Sequence, residues 1–506
     1  KKLLGPKPPP KPPAPKPAPQ PQDTGGGKNP VLPKEKKERQ FTDFERGVAK
    51  FILSVKNFNI NYTQSKGTLL PGYTRTTELF GNNFYTDAAG KSTYAPGFGF
   101  VFGEQDPNFK FRAANNGWIT RDSTLNNQLT NTYTTNLTAR SSIEPLNGLK
   151  IDLNWTRIFA KNHSEYFRTG SNGEFRSFNE VDAGNFSISW LTINYAFTKD
   201  RKDYTNEVFD KFDQNRKIIS QRLAELNNFS NGFDTAGYND GYGATSQEVL
   251  TYAFIAAYSG KDASQIGLGK GDKSLFPSMP KPNWKVTYDG LTKIAAVRKI
   301  FQTVSLSHGY RSSLNINSYS TSLQYRKEGT PARNQSGNFI PQYEIQQISI
   351  TEQFSPLLGV DVRLKSGISA RVEYKKDRNL SLSYAGVQLT ETKGNEIVIG
   401  TGYRFKPKFP IKLGGKRMVL NNELNLTGDV SFRRNSTILR KLQERINQPT
   451  AGLYVVSFKV AADYAVNERI NVKAFFDRTA NEPLISTSFP TTSTQFGISI
   501  RFTLAQ

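Results

Sequence analysis

The chain has 506 residues, a formal net charge of +24, 36% apolar residues and a mean hydropathy of −0.56. No stretch approaches the roughly 18 consecutive apolar residues of a membrane helix, so helical spans are excluded. There is no cysteine, which excludes disulfides, thiolate metal sites and thiol nucleophiles, and two histidines are too few for a multi-histidine metal cage. At ~150 residues per domain the length suggests three or four domains. A transmembrane β-barrel stays compatible with this composition, because half of each strand faces water. The aromatic share of 12% favours strands.

Residues 1–47 read as a Pro/Lys-rich linker. Lys1 to Pro33 holds twelve prolines, which enforce extended, semi-rigid polyproline II, expected to be disordered as a whole. No apolar signal-peptide core is present there, so an exported chain is expected to be a fragment or a mature piece. Residues 48–200 read as barrel strands with one long Gly/aromatic loop. Phe58, Ile60 and Tyr62 alternate with asparagines, and residues 63–131 are rich in Gly, Asn, Thr and aromatics. Alternation returns at Leu149, Ile151, Leu153 and Trp155. It recurs at Phe186, Ile188 and Trp190, then changes phase to Leu191, Ile193, Tyr195 and Phe197, which predicts a β-bulge.

Residues 201–290 read as a helical loop insertion. Val208, Phe212, Ile219, Leu223 and Leu226 fall on one helical face. A second helix is expected over about 246–258, with a Thr245/Glu248 capping box and Gly260 as its stop. Residues 291–506 then run strand after strand. Val360 to Tyr374 keeps one parity for 15 residues, or ~50 Å at about 3.3 Å per residue, against about 5–6 residues for an ordinary globular strand. About a dozen strands are expected in all.

The expected fold class is therefore all-β: a sector of a large transmembrane antiparallel β-barrel with a small helical insertion. Apolar rows that begin or end in aromatics suit interfacial girdles. Arg363, Lys365, Arg371, Glu373, Lys459, Asp463 and Arg501 fall between those rows, as the candidate lining of a water-filled lumen. Phe496, Ile498, Ile500, Phe502 and Leu504 form the candidate barrel-closing strand.

Several pieces then carry a resemblance. Asp477-Arg478-Thr479, Ser486-Thr487-Ser488-Phe489-Pro490, Phe496-Gly497 and Arg501-Phe502-Thr503-Leu504 resemble the end of the SprA/Sov family. These are the giant outer-membrane translocons of the bacterial type 9 secretion system. Leu70-Pro71-Gly72-Tyr73, His308-Gly309-Tyr310-Arg311-Ser312, Ile399-Gly400-Thr401-Gly402-Tyr403-Arg404-Phe405, Leu424-Asn425-Leu426 and Arg434-Asn435-Ser436-Thr437-Ile438 also fit, so the resemblance covers most of 40–506. It implies the C-terminal part of a longer polypeptide in the bacterial outer membrane, completing a very large barrel with a missing N-terminal part. It implies export of folded cargo proteins, a PorV-type shuttle, a periplasmic plug protein, type 9 motor components and outer-membrane lipid as partners. With a periplasmic C-terminus, links 479–493 and 433–450 and the insertion are expected outside, and 467–469 in the periplasm.

No enzymatic chemistry is expected, and no cofactor or metal. Gly267-Leu268-Gly269-Lys270-Gly271-Asp272-Lys273-Ser274 lacks the order of a phosphate loop and no strand feeds it. His308 reads as a structural hydrogen-bonding residue, and His163 as part of a polar loop without an identifiable partner. The basic excess is spread along the chain and partly sits in the proline-rich head, so nucleic acid is not expected. Two alternatives remain: a TonB-dependent-type nutrient receptor, which needs a plug domain ahead of the barrel, and a soluble β-rich surface adhesin.

Overall fold

Alternating apolar and polar residues become strands far longer than globular ones in the computed structural model. It describes residues 54–503 apart from 88, 269–274, 327, 409, 414–415, 420–421, 468 and 486–487. The described residues belong to the unit Lys50–Gln506. The 1–47 linker, most of Gly267–Ser274 and Leu504 lie outside the described residues.

The strands are β1 (Val55–Leu69), β2 (Asn83–Thr86), β3 (Ser92–Ala95), β4 (Leu129–Leu146), β5 (Leu149–Thr169), β6 (Phe175–Ser189), β7 (Asn283–Tyr288), β8 (Phe301–Thr321) and β9 (Tyr343–Ile345). They continue as β10 (Gln347–Leu364), β11 (Ile368–Ser383), β12 (Gln388–Phe405), β13 (Pro410–Leu413), β14 (Lys416–Val419), β15 (Leu424–Lys441), β16 (Ile446–Asn467), β17 (Ile470–Pro483) and β18 (Thr491–Phe502). The three longest helices of the described residues are α1 (Phe109–Asn115), α2 (Glu207–Glu225) and α3 (Gln247–Ser259). The main sheet is an antiparallel meander in the order β1-β4-β5-β6-β8-β10-β11-β12-β15-β16-β17-β18. The fold is thus all-β with a helical insertion, and no helix of the described residues is long and apolar enough to cross a membrane. β16 has 22 residues, which at about 3.3 Å each reach ~70 Å.

β6 and β7 occupy one row of the sheet. β6 pairs β5 and β8 down to Ser189, and β7 takes over the same two neighbours from Asn283, with Asn283 opposite Asn154 and Trp284 opposite Tyr310. Residues 190–282 are therefore inserted in the middle of a strand row. This corrects two expectations. The phase change after Trp190 is not a bulge but the exit of the chain from the sheet, into a 3-10 turn over Ile193–Tyr195. The segment Trp284–Tyr288, assigned to the insertion, is back in the wall.

One end of the sheet, here the upper end, carries the long connections 70–128 and 322–342 and the turns 384–387, 442–445 and 484–490. The lower end carries tight links at 147–148 and 365–367 and longer connections at 289–300 and 406–423. The expected links 433–450 and 479–493 are mostly strand. Arg433, Arg434 and Pro449 look loop-like but sit in the ladder, Pro449 opposite Ile438 where the register shifts.

The insertion folds against the upper half of one face. α2 presents Val208, Phe212, Ile219 and Leu223 inward, while Leu226 caps its end and stays exposed. Asn206 caps its start by accepting from Phe209 N–H at 2.9 Å. α3 is apolar on every side and buried on every side. It packs on α2, with Phe254 edge-on to Phe212, and on Leu314, Ile316, Ile348, Ile350, Leu380 and Leu382 of the sheet. Its N-cap is Ser246, not the expected Thr245, and no side chain closes the cap. Thr245 Oγ1 instead accepts from Asn338 at 2.8 Å. Gly260 ends the helix at φ 69° with its N–H on Ala256 O.

Candidate functional site: two faces of one wall

Below the insertion, the same face of the sheet is apolar and open. Register fixes which residues share it. Tyr374, Ile397, Phe432 and Val456 lie in one line across β11, β12, β15 and β16. Val372, Ile399, Val430 and Phe458 form the next, and Ile368, Tyr403, Leu426, Ala462, Ala474 and Ile498 a lower one. Val372, Ile399 and Phe458 are 48%, 46% and 42% exposed. On β18, Phe496, Ile498, Ile500 and Phe502 stand on this face, exposed by 57–70%. At the other edge Phe58, Ile60 and Tyr62 of β1 continue it. So large and continuous an exposed apolar surface exceeds what a water-soluble monomer shows. Tyr403 stacks on Phe405 at 4.8 Å near its lower margin.

The opposite face is charged. Asp361, Arg371, Gly400, Asp429, Lys459 and Asp477 face each other in one line across six strands. Arg371 reaches over β12 to Asp429 at 3.1 Å. A Cβ at Gly400 would stand 2.5 Å from Asp429 Oδ1, so only glycine leaves that path open. Gly394 does the same for Arg433 and Asp377, which meet at 3.1 Å. Gly400→Val is expected to separate Arg371 from Asp429 but to cost under ~1 kcal/mol from that exposed pair. A double-mutant cycle with Asp429→Asn checks it. Of the remaining residues expected here, Glu373 pairs with Lys375 at 3.1 Å. Arg363 is opposite Ser369, Asp463 opposite Lys473, and Arg501 opposite Asn471. Lys365 lies just past β10, in the turn.

Between the insertion and the open apolar rows lie buried ion pairs. Arg440 meets Glu391 at 2.7 Å, off the hydrogen-bonding line of Nη1, and Asp200 at 3.3 Å, and it donates to Tyr204 O. Lys393 also reaches Asp200, at 2.7 Å. Arg378 holds Glu352 at 3.0 Å and donates to Tyr195 O, while Thr192 and Tyr310 hydroxyls donate to Glu352 Oε1. These contacts tie the exit arm 192–206 to β10, β11, β12 and β15.

The histidines have partners that sequence did not reveal. His308 Nδ1 lies 2.7 Å from Leu357 O and, facing a carbonyl, must carry the proton there. His163 is not in a loop but in β5, with Asp182 at 2.8 Å and Glu165 at 3.3 Å. Lys110 of α1 completes the cluster on Glu165 at 2.7 Å, closing the 70–128 connection over the sheet. Hydrogen bonds to Asp182 and Glu165 hold the imidazole up at about 9 against burial. Burial opposes ionisation of Glu165, but bonds from His163, Lys110 and Ser177 hold its carboxyl down at about 2. The His163 contribution is complete below its ordinary 6.5 and is lost as pH rises through about 9. The Glu165 contribution is present above 4.5 and is lost as pH falls through about 2. Protease cleavage within 104–110 is therefore expected to rise above about pH 9, and His163→Gln to remove that alkaline step.

No protein-family model matches the chain, and no curated protein does. Among solved structures, the in-vitro folded trimer form of OmpT, an outer membrane protein of Vibrio cholerae, covers 88% of this chain and 99% of its own. Its identity is 9% and its TM-score 0.20. An anion-selective porin from Comamonas acidovorans covers 87% and 98%, at 8% identity and a TM-score of 0.11. Likeness this slight assigns the chain no activity.

Proposed function

We propose that the chain is the C-terminal sector of an outer-membrane protein-conducting barrel of the SprA/Sov type, exporting folded cargo in type 9 secretion. The observation that carries this is the division of one wall into a continuous apolar face and a charged face, as lipid and a water-filled lumen demand. Two further features support it. Among the described residues β1 pairs only with β4 and β18 only with β17, so both edges are free to take further strands. Bare edges of this length are aggregation-prone unless covered, which favours a partner wall from the rest of a longer polypeptide. The connections 70–128 and 322–342 also leave the same end, as the extracellular loops of outer-membrane barrels do. In this reading the insertion is extracellular, and the PorV-type shuttle, plug protein and motor components meet the complete barrel.

The test is deletion of β18 from the chromosomal copy. Cargo bearing a type 9 C-terminal signal is expected to accumulate in the periplasm while the remaining envelope stays intact. Unchanged cargo export would overturn the translocon assignment. Cleavage of whole cells by added protease only at 468–469 would overturn the polarity.

A further inference from the structure

We propose that Lys376, Arg434 and Arg478 form a binding row for the phosphate groups of anionic lipid headgroups, at the upper margin of the apolar face. The proposal stands on the lipid placement of that face.

Each strand changes character at the same margin. On β11 the first residue above the apolar row is Lys376, above Tyr374. On β15 it is Arg434, above Phe432, and on β17 it is Arg478, above Phe476. The strands between contribute neutral groups: Asn395 on β12 and Tyr454 on β16. Lys376, Asn395 and Arg434 lie in one cross-strand line, which puts the two cations two strand spacings, ~10 Å, apart. Arg478 is opposite Phe458, so the margin steps down along with the apolar row itself.

None of the three cations has a carboxylate partner among the described residues. Their neighbours are already committed: Glu352 to Arg378, Glu391 and Asp200 to Arg440 and Lys393. Glu482 stands on the same face but opposite Tyr454, two strands from Arg434. Lys376 is steadied by the Phe197 ring, 4.4 Å from its ammonium. Cations set directly above an apolar surface match the phosphates of a lipid leaflet, with acyl chains below and anionic heads level with the row. The lower margin ends in the aromatic residues Tyr403, Phe405, Tyr464 and Phe502.

The experiment uses the complete protein purified from its membrane and placed in bilayers of phosphatidylglycerol and phosphatidylcholine. Native mass spectrometry then counts the lipids it retains. Wild type is expected to keep phosphatidylglycerol in preference. The triple variant Lys376→Gln, Arg434→Gln, Arg478→Gln is expected to lose that preference by roughly a hundredfold, about fivefold for each cation. Lys376→Arg, Arg434→Lys, Arg478→Lys is expected to restore it. A variant that inserts normally and keeps the wild-type preference overturns the proposal. Loss of bound phosphatidylglycerol to added inorganic phosphate would also overturn it, by making the row a free-anion site. Failure of wild type to enter bilayers at all is a separate result, and sinks the membrane reading itself.

Discussion

Arg440→Ala is expected to cost ~2–3 kcal/mol, because it takes one of two cations from the buried Glu391 carboxylate and leaves it only Lys393, at 3.3 Å. Arg440 is wholly buried and Glu391 is 1% exposed, so neither can recover its lost partner from water. Three residues would lose contact at once: Glu391, Asp200 and the Tyr204 carbonyl. The effect should be local. The strands on either side keep their ladders, while the exit arm 192–206 loses its main hold on β15. Cleavage between 190 and 206 should therefore rise well before the wall itself unfolds. Replacing Arg440 and Glu391 together by leucine should recover most of the loss, since apolar pairs of similar volume often replace buried ion pairs without penalty. If the double variant is as weak as the single one, the cost lies in packing and not in the uncompensated charge.

Ile399→Arg is the second large effect expected. The residue sits in the open apolar row of β12, between Val372 and Val430. A cation inside the hydrocarbon core of a bilayer costs a barrel up to ~2–4 kcal/mol, most at the midplane. Thr427→Arg is the counterpart. Thr427 is opposite Gly402 and Ala461 on the charged face, one strand away. There an arginine meets water, and its effect should stay within about 0.5 kcal/mol. Reversible unfolding from lipid vesicles, measured for both variants, separates the cases. Equal costs would mean that the two faces see the same solvent.

Much of the wall was legible because a strand's side chains alternate strictly, so burial on one face leaves a written trace every second residue. Tyr454–Tyr464 and Phe496–Phe502 carry that trace without interruption. Val360–Tyr374, expected as one long strand, is instead the end of β10, the turn 365–367 and the start of β11. Its parity is kept across the hairpin because Val360 faces Val372 and Val362 faces Ala370. The trace failed where the wall is interrupted. A six-residue strand such as β7 is too short to announce itself, and its row is completed by β6, whose last residue lies nearly a hundred positions earlier. Charged positions misled as well. The link expected over 433–450 begins with Arg433 and Arg434, which instead sit in the β15 ladder, opposite Val455 and Tyr454. The His163 cluster was not legible at all. Lys110, His163, Glu165 and Asp182 come from three elements that only the closed 70–128 connection brings together. The Thr245/Glu248 box does not form: the helix starts one residue later, after Ser246, and the threonine hydroxyl accepts from Asn338 instead.

The proposed division of this wall into a lipid face and a water face is open to direct measurement. The chain has no cysteine, so single cysteines placed one at a time from Val456 to Tyr464 report without background. In the complete barrel in its native membrane, a water-soluble maleimide is expected to label Ser457, Lys459, Ala461 and Asp463 positions. The alternate positions Val456, Phe458, Val460, Ala462 and Tyr464 should resist it and react instead with a lipid-partitioned reagent. Uniform labelling along β16, or labelling of the Phe458 and Val460 positions from water, would contradict that division.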